Sequence, residues 1–201
     1  MRVKSAKFIT SRADANGIEY RPQVCVAGRS NCGKSSLLNM LMGAKLARTS
    51  STPGRTRLIN IFEVNIESDN ADRFYFVDLP GYGYNKAHRA ESDEFNARTN
   101  EYFERGADYI AQTLCLMDIR REPSELDKVL INFLRDMGYG FTVVLTKADK
   151  LSRVQIANAK IKIAAALGLA RDNLIVTSAA SGAGKQELLD RIDNILSVSD
   201  E

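Results

Sequence analysis

The stretch GRSNCGKSS, Gly28–Ser36, sets two glycines, a lysine and a serine in the spacing GxxxxGK[ST]. It follows the apolar run Gln23–Ala27 and opens a helical pattern, the context a phosphate-binding loop needs. Gly33 permits backbone angles that turn successive N–H groups inward on an anion. The helix starting near Lys34 adds its positive end. Lys34 would reach β- and γ-phosphates, and the Ser35 hydroxyl would ligate Mg²⁺. Cys32 reads as a small filler, not a reactive thiol. The bland reading is a glycine-rich turn with a solvated lysine; the strand-then-helix context weighs against it.

Three further segments say whose phosphate this is. In DLPGYG, Asp78–Gly83, a carboxylate at a strand end can hold Mg²⁺ through water. Gly81 can donate its backbone N–H to a γ-phosphate and can also hinge. In TKAD, Thr146–Asp149, the aspartate can accept from N1–H and the 2-amino group of guanine together. Adenine lacks that donor pair and would leave a carboxylate unpaired, a penalty that enforces discrimination. Lys147 would lay its methylene stem along the base. In TSA, Thr177–Ala179, a backbone N–H can meet the guanine O6. TKAD or TSA alone is common; the boxes in this order, each after an apolar run, specify a guanine nucleotide.

The elements that must position these residues are legible as apolar runs alternating with helical periodicity, which argues for an α/β domain with a mostly parallel sheet. Strands are expected at Gln23–Ala27, Leu58–Ile66, Phe74–Val77, Thr113–Met117, Phe141–Leu145 and Leu174–Val176. The second and third flank the polar stretch Glu67–Asp72 and form an antiparallel edge hairpin. Helices are expected at Ser35–Leu41, Ser92–Arg105, Ser124–Asp136, Arg153–Leu167 and Lys185–Leu196, with Ser124 and Gly138 as caps. The expectation is one three-layer domain, 1–201, with a six-stranded sheet and an N-terminal arm, 1–20, packed on its edge.

Composition narrows the class. Of 201 residues, 44% are hydrophobic and 26% charged, ordinary for a globular chain. No apolar run is long enough to span a bilayer, and the first residues lack a secretory h-region. Three cysteines, Cys25, Cys32 and Cys115, form no CxxC pair and fit reduced thiols in a cytoplasm. The one histidine, His88, reads as a surface or loop residue and gives little support to a histidine metal site or a Ser-His-Asp triad. Charge is uneven: residues 1–60 carry +9 and residues 61–201 carry −6. That asymmetry fits an anionic partner beyond the nucleotide, or simply a solvated face.

On AGRSNCGKSSLLN, TSSTPGRTRLINIFEV, FVDLPGYGY and LTKADKL, the chain resembles the translation-factor-like branch of P-loop GTPases, and more closely the EngB/YihA (YsxC) family of bacterial ribosome-biogenesis GTP-binding proteins. The resemblance covers nearly the whole length and implies a Ras-like G domain that hydrolyses GTP. It implies nucleotide contacts from the loop Gly28, Arg29, Ser30, Asn31, Cys32, Gly33, Lys34 and Ser35. It adds the first switch, Gly54, Arg55, Thr56, Arg57 and Leu58, with Thr56 as second hydroxyl ligand of Mg²⁺ beside Ser35. The segments Asp78, Leu79, Pro80, Gly81 and Thr146, Lys147, Ala148, Asp149 and Thr177, Ser178, Ala179 complete the set. Lys34, Asn31, Thr56 and Gly81 are the candidate catalytic residues.

Two departures from the general GTPase pattern matter. Thr146 stands where asparagine is commoner and is expected to bridge the phosphate loop less well than an amide, weakening nucleotide affinity. Tyr82 stands where Ras-like switches place a water-orienting glutamine, so intrinsic hydrolysis is expected to be slow. Asn31 is a candidate for holding K⁺ near the phosphates, or for bracing the loop only.

Arg48, Arg55 and Arg57, with Tyr82 and Tyr84 on GYGYN, fit phosphate and stacking contacts to ribosomal RNA; the bland reading packs the tyrosines on the protein itself. The resemblance implies a role in assembly of the large ribosomal subunit and thereby in normal cell division and septation, for a monomeric chain. Alternatives are a module binding a cell-division protein, and a small-molecule kinase using ATP, which leaves TKAD and DLPG unexplained.

Overall fold

The computed structural model describes residues 1–12, 21–48, 58–82, 101–104 and 107–197. Its sheet has seven strands: β1 (Arg2–Arg12), β2 (Gln23–Gly28), β3 (Ile59–Glu67), β4 (Arg73–Asp78), β5 (Ile110–Asp118), β6 (Phe141–Thr146) and β7 (Leu174–Val176). Their order is β1-β3-β4-β2-β5-β6-β7. The pairs β1/β3 and β3/β4 are antiparallel and the rest are parallel. The helices are α1 (Lys34–Met42), α2 (Glu125–Asp136), α3 (Arg153–Leu167) and α4 (Lys185–Leu196). Residues 101–104 are also helical; the remainder of the expected helix Ser92–Arg105 lies outside the described residues.

β2 is buried along its whole length because both sheet faces are covered. Val24 and Val26 point into one core with Leu37, Leu38 and Leu41 of α1 and Leu188, Ile192 and Leu196 of α4. Cys25 and Ala27 point into the other, with Ile131 and Leu134 of α2 and Ile163 and Leu167 of α3. Period-2 alternation along a strand thus feeds two cores, giving the three expected layers. All three cysteines are buried free thiols, and burial pushes Cys25 up to about 12.

Local signals place the helices. Ser124 caps α2 in a capping box with Asp127, and Ser152 caps α3 with Gln155. Gly138 and Gly168 follow these helices with positive φ, at 74° and 62°. The hairpin β3–β4 forms as expected, with Asn60 opposite Asp78 and Asn65 opposite Arg73. Its tip is tied to α4: Ser68 Oγ donates to Asp193 Oδ1 at 2.5 Å, and Asn70 Nδ2 to the Asp193 carbonyl at 3.2 Å.

The sheet exceeds the expected six strands by one, because the arm is itself an edge strand. β1 pairs with β3 from Arg2 opposite Glu67 to Arg12 opposite Ile59. Irregularities between Val3 and Ser5 and between Phe8 and Thr10 shift its phase. Its half-buried residues therefore fall at Val3, Ala6, Thr10 and Arg12, with no period of two. Cross-strand pairs hold it: Lys7 to Glu63 at 2.8 Å, and Phe8 edge-on to Phe62 at 5.7 Å between ring centres.

Candidate nucleotide site

β2, β4, β5, β6 and β7 all deliver their C-terminal ends to one edge of the sheet, where ligands of open α/β folds bind. Gly28 ends β2. Arg29, Ser30, Asn31, Cys32 and Gly33 form the connection, and Lys34 and Ser35 open α1. The loop is wound by two left-handed residues, Asn31 at φ 63° and Gly33 at φ 108°. A side chain is strained at the second, so glycine is required there. Lys34 Nζ donates to the Gly28 carbonyl at 3.2 Å, which holds its ammonium over the loop. The Cys32 thiol is buried, and burial pushes its pKa up despite the nearby Lys34 and Lys147. It is filler, as expected.

Asp78 closes β4 and is followed by buried Leu79 and Pro80. Burial pushes its carboxyl up from the ordinary 3.8, opposed by Lys34 and a hydrogen bond from Asn60. Asp78 Oδ1 is buried with no hydrogen-bond partner among the described residues. Gly81 packs so closely on the loop that a Cβ there would meet Lys34 Nζ at 2.8 Å and Ser30 Oγ at 3.1 Å. The next residue completes the contact: Ser30 N donates to the Tyr82 carbonyl at 3.0 Å. Tyr82 itself is buried, its hydroxyl donating to Asp127 Oδ1 at 2.8 Å. This withdraws Tyr82 from the exposed ring expected for RNA stacking; Tyr84 lies outside the described residues.

At the far side, Thr146 ends β6 and its hydroxyl donates to the Cys32 carbonyl at 2.5 Å. Threonine does reach this loop: Oγ1 on a buried, β-branched side chain makes one bond across without an amide. Lys147 adopts φ 63° and donates from Nζ to the Asn31 carbonyl at 2.7 Å. Asp149, in the turn Ala148–Lys150, accepts from Ser178 Oγ at 2.7 Å and pairs with Lys150 at 3.1 Å. Those two hydrogen bonds, Ser178 first, hold its carboxyl below the ordinary 3.8. Ala148 N donates to the Thr177 carbonyl at 3.1 Å, which locks this turn to the Thr177–Ala179 loop after β7.

The structure thus brings the phosphate loop, Asp78–Gly81, Thr146–Asp149 and Thr177–Ala179 to one edge. Leu58 stands 40% exposed just before β3. Gly54, Arg55, Thr56, Arg57 and His88 lie outside the described residues. Two acidic residues of this edge escaped the motif reading: Asp118, which pairs with Arg120 and Lys147, and Asp127 beneath Tyr82. A usable signal was the run DIRRE directly after an apolar strand.

A mostly parallel sheet with a phosphate loop between β2 and α1, and antiparallel β3 alongside, is the architecture of a P-loop GTPase. The 50S ribosome-binding GTPase family matches residues 23–147. The probable GTP-binding protein EngB of Geobacter metallireducens is 41% identical over 204 residues, covering 100% of this chain and 97% of its own. A crystal structure of a probable GTP-binding protein EngB superposes with a TM-score of 0.68 at 25% identity, over 87% of this chain and 98% of that one. The fold is shared with Era in complex with MgGDPNP and a 16S ribosomal RNA segment, TM-score 0.69 at 23% identity, over 89% of this chain and 57% of that one. The chain belongs to the EngB family of GTP-binding proteins, and it is a GTP-hydrolysing enzyme.

Proposed function

We propose that this GTPase acts as a switch in assembly of the large ribosomal subunit, docking in its GTP form and leaving after hydrolysis. Asp149, oriented by Ser178, reads guanine, with Lys147 along the base and Thr177–Ala179 closing the pocket. The amides of Gly28–Gly33 cradle the phosphates and Lys34 neutralises the β- and γ-groups.

Magnesium fits this site. A buried carboxylate oxygen without a partner on Asp78 is the group a hydrated cation would satisfy. Ser35 and Thr56 would supply hydroxyl ligands, with Asp78 acting through water. Bound there, Mg²⁺ would neutralise charge on the β- and γ-phosphates. Around it the chain's own groups act: Lys34 holds the phosphate charge, Gly81 N–H registers the γ-phosphate, and Thr56 brings the first switch, with Gly54, Arg55, Arg57 and Leu58, onto the nucleotide. Tyr82, turned inward to Asp127, does not orient water, and this supports slow intrinsic hydrolysis.

The observation that carries the switch is the contact of Gly81 with Lys34 and Ser30. A γ-phosphate bound by Lys34 must displace or engage Gly81, so the nucleotide state is passed to the chain beyond it. The ribosomal partner is supported by the family description, by the rRNA bound to the similarly folded Era, and by the +9 charge of residues 1–60. Sedimentation at low salt tests it: co-migration with large-subunit particles in a non-hydrolysable GTP analogue and not in GDP is expected. No nucleotide-dependent co-migration, or GTP-dependent capture of a cell-division protein instead, overturns it.

A further inference from the structure

We infer that Asp118 is a positioning residue for base recognition, fixing Lys147 so that its stem forms a wall of the guanine pocket before the base arrives. This rests on the reading of Thr146–Asp149 as the base site.

The placement follows from the sheet. Asp118 closes β5 and lies opposite Thr146 in the parallel β5/β6 ladder, so it stands beside the residue preceding Lys147. Ile119 N donates to the Thr146 carbonyl at 3.1 Å and secures that alignment. The carboxylate is 8% exposed and fully engaged. Lys147 Nζ lies 3.0 Å from Oδ2. Arg120 grips both oxygens, from Nη2 to Oδ2 at 2.7 Å and from Nε to Oδ1 at 2.9 Å, and its backbone N–H adds a bond to Oδ1 at 3.1 Å. Burial works to raise the carboxyl pKa and is outweighed by the bonds from Arg120 and Lys147, which hold it well below the usual carboxylate range.

The consequence falls on Lys147. Its ammonium has two acceptors from two separate elements, Asp118 on β5 and the Asn31 carbonyl on the phosphate loop. A lysine side chain held at both the backbone, by φ 63°, and the ammonium cannot swing away from the base. A base that met a free lysine would have to immobilise its rotors and would bind more weakly. Arg120 leaves Asp118 no freedom to follow the lysine out, because a forked guanidinium sets the carboxylate plane. Asp149 is not part of this cluster's bonding; its partners are Ser178 and Lys150. Asp118 therefore governs how tightly any purine is walled, and Asp149 governs which purine is chosen.

The test is a double-mutant cycle read by fluorescent GDP and IDP binding on the full chain. Asp118→Asn is expected to weaken GDP about tenfold, the loss typical of one charge-assisted hydrogen bond, with the GDP-to-IDP ratio unchanged. In a Lys147→Met background, which keeps the stem but has no ammonium, Asp118→Asn is expected to change affinity less than about twofold. In turnover, KM for GTP rises with kcat unchanged. Undiminished GDP affinity in Asp118→Asn, an equal loss in both backgrounds, or a shifted base ratio overturns the inference. Where Asp118→Asn alone fails to fold, Asp118→Asn with Arg120→Leu, which removes the second cation left without a counter-charge, is read in the same two backgrounds.

Discussion

Tyr82 and Asp127 are 45 residues apart in the chain, yet the tyrosine hydroxyl donates to Asp127 Oδ1 at 2.8 Å in a buried space beneath α2. The other carboxylate oxygen accepts from Ser124 N at 2.7 Å and from Ser124 Oγ at 2.6 Å, which makes Asp127 the partner in the α2 capping box. Burial, then the charge of Asp127, pushes the Tyr82 phenol well above its ordinary 10.0, so it remains a donor at any working pH. One side chain joins the residue after Gly81 to the start of a helix.

Tyr82→Phe leaves Asp127 Oδ1 without this donor. Losing a buried hydrogen bond to a charged acceptor costs about 1.5–3 kcal/mol. Urea unfolding of Tyr82→Phe should show that loss, with GTP turnover within about twofold of the parent because the phenol does not face the nucleotide. A large drop in turnover at unchanged stability would place the hydroxyl in the reaction.

Thr146 ties β6 to the phosphate loop through one hydroxyl. Thr146→Ala removes a neutral hydrogen bond and should weaken GDP about five- to tenfold in calorimetry. Thr146→Asn, with a longer amide donor, should recover most of that loss. Equal affinities in all three proteins would show that the bridge does not support nucleotide binding.

Asp149 should decide base identity. Asp149→Asn should move preference from GTP toward XTP, since the amide can donate where the carboxylate accepts. The sign of the pH dependence follows from its depressed pKa. The ionised form that accepts from guanine persists as pH falls from about 8 to about 5, so the preference for GDP over IDP, whose phosphates protonate alike, is flat there. That preference declines only once pH drops through the lowered folded value. A preference already lost near pH 6 would exclude Asp149 as the acceptor.

Asn31 tests the cation proposal. Turnover is expected to be faster in KCl than in NaCl, and the difference should shrink in Asn31→Gly. Glycine keeps the left-handed φ of 63° and removes only the amide, whereas alanine would add backbone strain of about 1–2 kcal/mol. Equal rates in the two salts for the parent protein remove potassium from the mechanism.

Asp193 links the β3–β4 hairpin to α4. Burial raises its pKa, and the bonds from Ser68, the Met1 ammonium and Asn70 more than reverse this, leaving it below 3.8. A depressed carboxylate contributes stability above its unfolded pKa, and that contribution disappears as pH falls through the folded value. Asp193→Ala should therefore lower stability by about 1–2 kcal/mol at neutral pH. The gap from the parent should close as pH falls through that lowered folded value in thermal unfolding. A gap independent of pH would assign the loss to packing.

The phosphate loop, the order of the nucleotide boxes and the existence of most elements were legible in the order of residues alone. Both ends of Arg153–Leu167, Lys185–Leu196 and Leu174–Val176 agree with the structure, because apolar period and cap residues are local properties of the chain. That order also placed each box after a strand, and parallel strands brought those boxes to one edge. Other features came only from packing between distant segments. Arg2–Arg12 is a strand only because β3 pairs with it; its two bulges erase the alternation that would have marked it. Asp118 meets Lys147 only because β5 and β6 align Asp118 with Thr146, and Tyr82 turns inward only because α2 presents Asp127 beneath it. Such polar contacts depend on the register and packing of distant segments, and a run of residues read alone contains neither.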